Sequence, residues 1–108
     1  MLLYHGTNAT NLIALMDKPM LKPSINGLGF YLTNELSVAQ KYGRTVVVYD
    51  VSNAVLNTMG LVIRTIDQRH TEGTVSYAEC LLGGMEYVVT NKRDLDTLVL
   101  DADDVYTL

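Results

Sequence analysis

Three stretches set a chemically capable side chain at the edge of an apolar run: His5 in LLYHGT, Tyr31 in GLGFYLT and Glu86 in GGMEYVV. A neutral imidazole can hydrogen-bond hydroxyl groups. The face of a tyrosine ring attracts a flat cation, and a carboxylate stabilises positive charge that develops in a transition state. Each side chain also has a plain structural account. A histidine ending a strand is satisfied locally, and a glutamate behind two glycines is solvated. Gly27 and Gly29 form a turn that leaves Tyr31 as an amphipathic surface residue. The two accounts part on whether one fold brings the three stretches together.

Other chemistries lack their residues. His5 and His70 have no cysteine or carboxylate at ligand spacing, so no metal is expected. The single cysteine, Cys80, has no basic pair or second cysteine nearby and reads as a core thiol in a reducing compartment. A net charge of −4, with eight Lys and Arg scattered along the chain, does not suit a phosphate backbone, and no stable nucleic-acid binding is expected. The acidic residues of DLDTLVLDADDVYTL read as solvated strand ends and turns. No apolar run approaches the roughly 18 residues of a membrane span, and MLLYHGTN lacks the basic flank of a signal peptide. The expectation is a cytoplasmic protein without a membrane partner.

The elements that must position these residues follow from pattern. The 108 residues make one domain, residues 1–108, without linker or repeat. Met1 to His5 suits a buried strand, and Thr7 or Asn8 can cap a helix carrying Leu12, Leu15 and Met16, which Pro19 stops. After a loop, the glycines lead into the Tyr31 strand. Asn34 is placed to cap a second helix, ELSVAQKY, with Gly43 at its end and Val38, Ala39 and Tyr42 on one face. TVVVYDV is the strongest strand signal. Residues 53–70 mix strand and helix spacing. Gly83 and Gly84 introduce the strand MEYVVT, and DTLVL and DVYTL read as two more. The order, β-α-β-α and then mostly β, is that of an α+β domain.

Together the stretches resemble the ADP-ribosyltransferase superfamily, in its diphtheria-toxin-like branch with the poly(ADP-ribose) polymerases and a His-Tyr-Glu triad. His5, Gly6 and Thr7 match the His-Gly-Ser/Thr opening, and Gly27, Gly29, Phe30 and Tyr31 match Gly-x-Gly-hydrophobic-Tyr. Tyr42 stands eleven residues after Tyr31, as a second pocket tyrosine does in the polymerases, and Glu86, Tyr87, Val88 and Val89 match the late Glu strand. The resemblance spans residues 3 to about 100. It implies a compact fold of split antiparallel sheets with two short N-terminal helices, NAD⁺ as co-substrate, and His5, Tyr31 and Glu86 as catalytic residues. It further implies that His5, Gly6, Thr7, Gly29, Tyr31 and Tyr42 bind NAD⁺, with the two tyrosines against the nicotinamide and His5 on the ribose hydroxyls.

Departures shape the expected activity. Ala39 stands where the polymerases have a serine that helps hold the nicotinamide amide, which leaves the backbone of Gly6 for that task. The chain is far shorter than polymerase catalytic domains, so transfer of a single ADP-ribose is expected, to a protein or other macromolecular acceptor, as in a bacterial or phage effector. No Ser-x-Glu-x-Glu motif of the arginine-modifying branch is present. Two other functions fit the same residues: a catalytically silent protein of this fold that binds a partner, and a small-molecule transferase, since Tyr4-His5-Gly6-Thr7 also resembles the opening of the rifamycin-modifying type. An RNA 2′-phosphotransferase would need paired His and Arg residues that the scattered arginines do not offer.

Overall fold

The computed structural model describes residues 1–23, 27–65 and 85–108. Along them run β1 (Leu2–Thr7), α1 (Ala9–Asp17), β2 (Phe30–Thr33), α2 (Leu36–Tyr42), β3 (Thr45–Asp50), α3 (Asn53–Leu56), β4 (Val62–Thr65), β5 (Met85–Val89), α4 (Lys92–Asp101) and β6 (Asp104–Thr107). The six strands form one antiparallel sheet in the order β4-β5-β2-β1-β3-β6. The class is α+β, as the pattern implies. The expected division into two sheets is corrected, because all six strands belong to one hydrogen-bonded sheet. That sheet is nevertheless thin at its centre. β1 pairs β3 along its whole length, from Leu2 opposite Asp50 to Thr7 opposite Thr45. It meets β2 at one pair, Tyr4 opposite Thr33.

Alternation along the strands divides the core. Leu3, Phe30, Leu32, Val47, Tyr49, Tyr87 and Val89 face a layer built from Leu95 and Leu98 of α4, with Leu12 and Leu15 of α1 packed beside them. Val46 and Val48 face the other way, onto Ala39 and Leu36 of α2. Each such side chain taken fully out of water stabilises the fold by about 1.5–3 kcal/mol. Met16, expected on the inner stripe of α1, is instead largely exposed.

Caps account for the helix boundaries. The Asn8 side chain accepts the Asn11 amide at 2.8 Å and starts α1. Asn34 does not cap α2. Its Oδ1 accepts the Met85 amide at 2.9 Å, while Glu35 occupies the cap without a side-chain bond. Residues 53–65 settle as α3, capped by Ser52, and the edge strand β4. The expected strand DTLVL is corrected to part of α4. There Asn91 Oδ1 accepts the Asp94 amide at 2.9 Å and its Nδ2 donates to Asp94 Oδ2 at 2.8 Å, a side-chain and backbone exchange that nucleates a helix. Cys80, His70, Gly83, Gly84 and the end of the 53–70 segment lie outside the described residues.

Candidate functional site

β1 and β2 diverge beyond Tyr4 and Thr33, and His5 bridges the gap. Its Nδ1 lies 2.7 Å from the Tyr31 carbonyl, and its ring stacks on Phe30 with centroids 4.2 Å apart. A carbonyl only accepts, so Nδ1 carries the proton and, in the neutral ring, Nε2 is left as an acceptor. Burial favours that neutral ring: it drives the His5 pKa below its ordinary 6.5, the bond to Tyr31 opposes the shift, and the charge of Lys22 adds to it. His5 is thus a fixed, uncharged acceptor at the point where the sheet opens.

On the α2 face of the sheet, Thr33 stands opposite Glu86 and Tyr31 opposite Val88, which makes Tyr31 and Glu86 diagonal cross-strand neighbours. Glu86 is 6 % exposed, contrary to the solvated position its glycine-led strand suggested. Asn34 ties the end of β2 to Met85, the residue before Glu86, and so anchors the glutamate's strand beside Tyr31. The Tyr31 hydroxyl donates to the Gly27 carbonyl at 2.6 Å, which holds the ring over the turn that precedes it.

The glycines answer to the protein's own packing. Gly27 has φ of 105°, a conformation that L side chains rarely adopt. A Cβ on Gly29 would come within 2.6 Å of Val88 Cγ1, so β5 and not a ligand is what approaches there. A Cβ on Gly6 would lie 1.9 Å from the Ala39 carbonyl oxygen, which means that α2 sits directly on β1.

Two adjoining pockets result. The smaller, of about 60 Å³, is lined by Tyr4, Gly6, Tyr31, Thr33, Tyr42 and Glu86 among others. The larger, of about 330 Å³, runs past Thr7 and Gly29 to Asn11, Lys18 and Lys22. His5, Gly6, Tyr31 and Tyr42 border both. His5, Gly6, Thr7, Gly29, Tyr31, Tyr42 and Glu86 therefore each line one pocket or the other, and the larger pocket alone reaches the range of small-molecule sites. Sequence reasoning missed Tyr4, Thr33, Lys18 and Lys22. Tyr4 and Thr33 were legible as alternating strand residues, whereas the lysines carry no local signal. Among the described residues no group of His, Cys, Asp or Glu could hold a metal ion, and no helix is long and apolar enough to cross a membrane. Comparison with protein-family models, curated proteins and solved structures finds no match.

Proposed function

We propose that this chain is an NAD⁺-dependent mono-ADP-ribosyltransferase acting on a protein or other macromolecular acceptor. The observation that carries the reading is convergence: residues from three distant stretches, matched to one family's motifs, line two pockets that share the wall of His5, Gly6, Tyr31 and Tyr42. The nicotinamide ring is assigned to the wall of Tyr31 and Tyr42 that the two pockets share. The larger, with Lys18 and Lys22 on its border, suits the anionic remainder of NAD⁺. The ribose then lies at His5, whose Nε2 accepts a hydrogen bond from a hydroxyl.

In this reading the bond between the ribose and the ring nitrogen breaks with its electron pair moving to the nitrogen. Neutral nicotinamide leaves, and positive charge appears on the sugar as in glycoside hydrolysis. Glu86 supplies negative charge where that charge develops. An acceptor nucleophile bonds to the anomeric carbon and loses its proton. Nicotinamide release from NAD⁺, together with intact-mass spectrometry of candidate acceptors, tests the reading. Transfer of one ADP-ribose is the expected result. Binding of NAD⁺ without nicotinamide release would move the chain to the class of silent, partner-binding proteins of this fold.

A further inference from the structure

β6 closes the sheet on one side, with β3 as its single strand neighbour. Its bonds to β3 fix which of its backbone groups face outward. The Leu108 amide donates to the Val46 carbonyl at 2.8 Å, and the register that sets Val47 opposite Thr107 makes these two residues a facing pair. Hydrogen-bonded pairs alternate along an antiparallel ladder, so Val48 with Tyr106 is the next one. The amides and carbonyls of Val105 and Thr107 therefore point away from β3, and no partner for them stands among the described residues. Open edges are ordinarily blunted by lysine or proline. Neither residue occurs from Asp104 to Leu108, and Tyr106 and Leu108 are exposed beside the open groups. Charge is divided along the same edge. Asp103 and Asp104, both exposed, stand at its start, and Arg44, exposed just before the antiparallel β3, stands at its finish.

We propose that β6 is a dimer seam: it pairs antiparallel with β6 of a second copy of this chain about a two-fold axis through Tyr106. Val105 of each copy then exchanges hydrogen bonds with Thr107 of the other, which satisfies the outward groups of both residues. Tyr106 meets its own copy across the axis, in the closer, non-hydrogen-bonded kind of pair where aromatic side chains interact. Charge selects the direction. Antiparallel pairing lays the acidic start of one strand beside the Arg44 end of the other, whereas parallel pairing would lay acid on acid. The same patch serves both copies, so the pairing closes at the dimer and leaves no β6 edge to extend. β3 separates β6 from β1, and no residue of β6 lines either pocket. The seam is thus apart from the pockets and holds whether or not the chain transfers ADP-ribose.

Sedimentation equilibrium of the full chain tests this. A seam of one short strand belongs to the small, transient class of interface, so association is expected at roughly 10 μM to 1 mM. Across that range the weight-average mass should rise from 12.0 kDa toward twice that value. Thr107→Pro removes an outward amide and no bond to β3, so it should keep the wild-type melt and remain monomeric. Arg44→Glu should weaken association by roughly 2- to 5-fold, the scale of one exposed ion pair. A wild type of monomer mass at the top of the concentration range would overturn the proposal. So would a folded Thr107→Pro that still dimerises, or an Arg44→Glu variant that associates as the wild type does. Should Thr107→Pro fail to fold, amide hydrogen exchange in the wild type decides. The Val105 and Thr107 amides slow as concentration rises if β6 is the seam, and exchange there that ignores concentration sinks it.

Discussion

Glu86 and Tyr31 are diagonal neighbours on one sheet face, and the proposed function gives them different tasks. On the proposed transferase reading, replacing Glu86 by Gln keeps the shape and removes the charge that would face the developing cation. Turnover should fall roughly 10²- to 10³-fold with NAD⁺ affinity retained, the scale of loss for one electrostatic group in other sites. Nicotinamide release at wild-type rate would remove Glu86 from the chemistry. Tyr31 is bound twice over, by its ring to the pocket and by its hydroxyl to Gly27. Tyr31→Phe keeps the π-face and loses the hydroxyl bond, at about 0.5–1.5 kcal/mol of stability. Tyr31→Leu also loses the attraction for the pyridinium and should bind NAD⁺ roughly 2- to 30-fold more weakly than the Phe variant. Equal dissociation constants for the two, with both folded, would return Tyr31 to a packing role.

The junction of β1 with α2 constrains the site most tightly. Ala39 and Tyr42 reach the pocket only because Gly6 admits the helix backbone against the strand. Gly6→Ala has to push α2 away, since the added methyl would lie 1.9 Å from the Ala39 carbonyl oxygen. The expected cost is at least about 1–3 kcal/mol, the ordinary range for overpacking. It should appear as a lower melting temperature together with lost NAD⁺ binding. An unchanged melt would mean that α2 is not seated as described. At the far side of the sheet, Asp94 accepts from Asn91 and from the Gly60 amide at 2.9 Å, which ties α4 to the segment before β4.

Among the described residues, His5, Asp94 and Tyr49 are the groups whose titration shifts on folding. Burial holds His5 below 6.5 in the folded chain, so the unfolded chain takes up the proton first, and stability falls as pH drops below 6.5. Burial alone would raise Asp94, but hydrogen bonds from Asn91 and Gly60 and the charge of Arg93 outweigh it and hold the carboxyl below 3.8. Its contribution is present above 3.8 and is lost as pH falls through the folded value. Tyr49, 2 % exposed, is pushed up by burial to about 12, so stability declines as pH rises from 10.0 toward that value. Chemical denaturation over the pH range should therefore give a plateau between 6.5 and 10.0, with an acid limb that His5→Gln shortens near 6.5. Stability that stays level as the wild type is taken below 6.5 would show that His5 titrates freely.

The strands and early helices were legible in the sequence because their signals are local: β-branched alternation in TVVVYD, and an asparagine before an apolar three-and-four spacing in α1. The α4 segment was misread because Leu98-Val99-Leu100 looks like a strand, while the deciding Asn91 and Asp94 exchange lies just ahead of it. Motif order alone nominated His5, Tyr31, Tyr42 and Glu86 for one site. The glycine roles were not legible, since Gly6 and Gly29 are required by atoms of α2 and β5 that are distant in sequence. Nor was the burial of Glu86, which follows from its place between β2 and β4 in the sheet. Sequence by itself determined which side chains stand at strand edges, because that depends on neighbours one to four residues away. Only the tertiary structure decided that β1 and β2 part after a single pair, opening the gap that His5 bridges, because strand pairing is a contact between residues far apart in the chain.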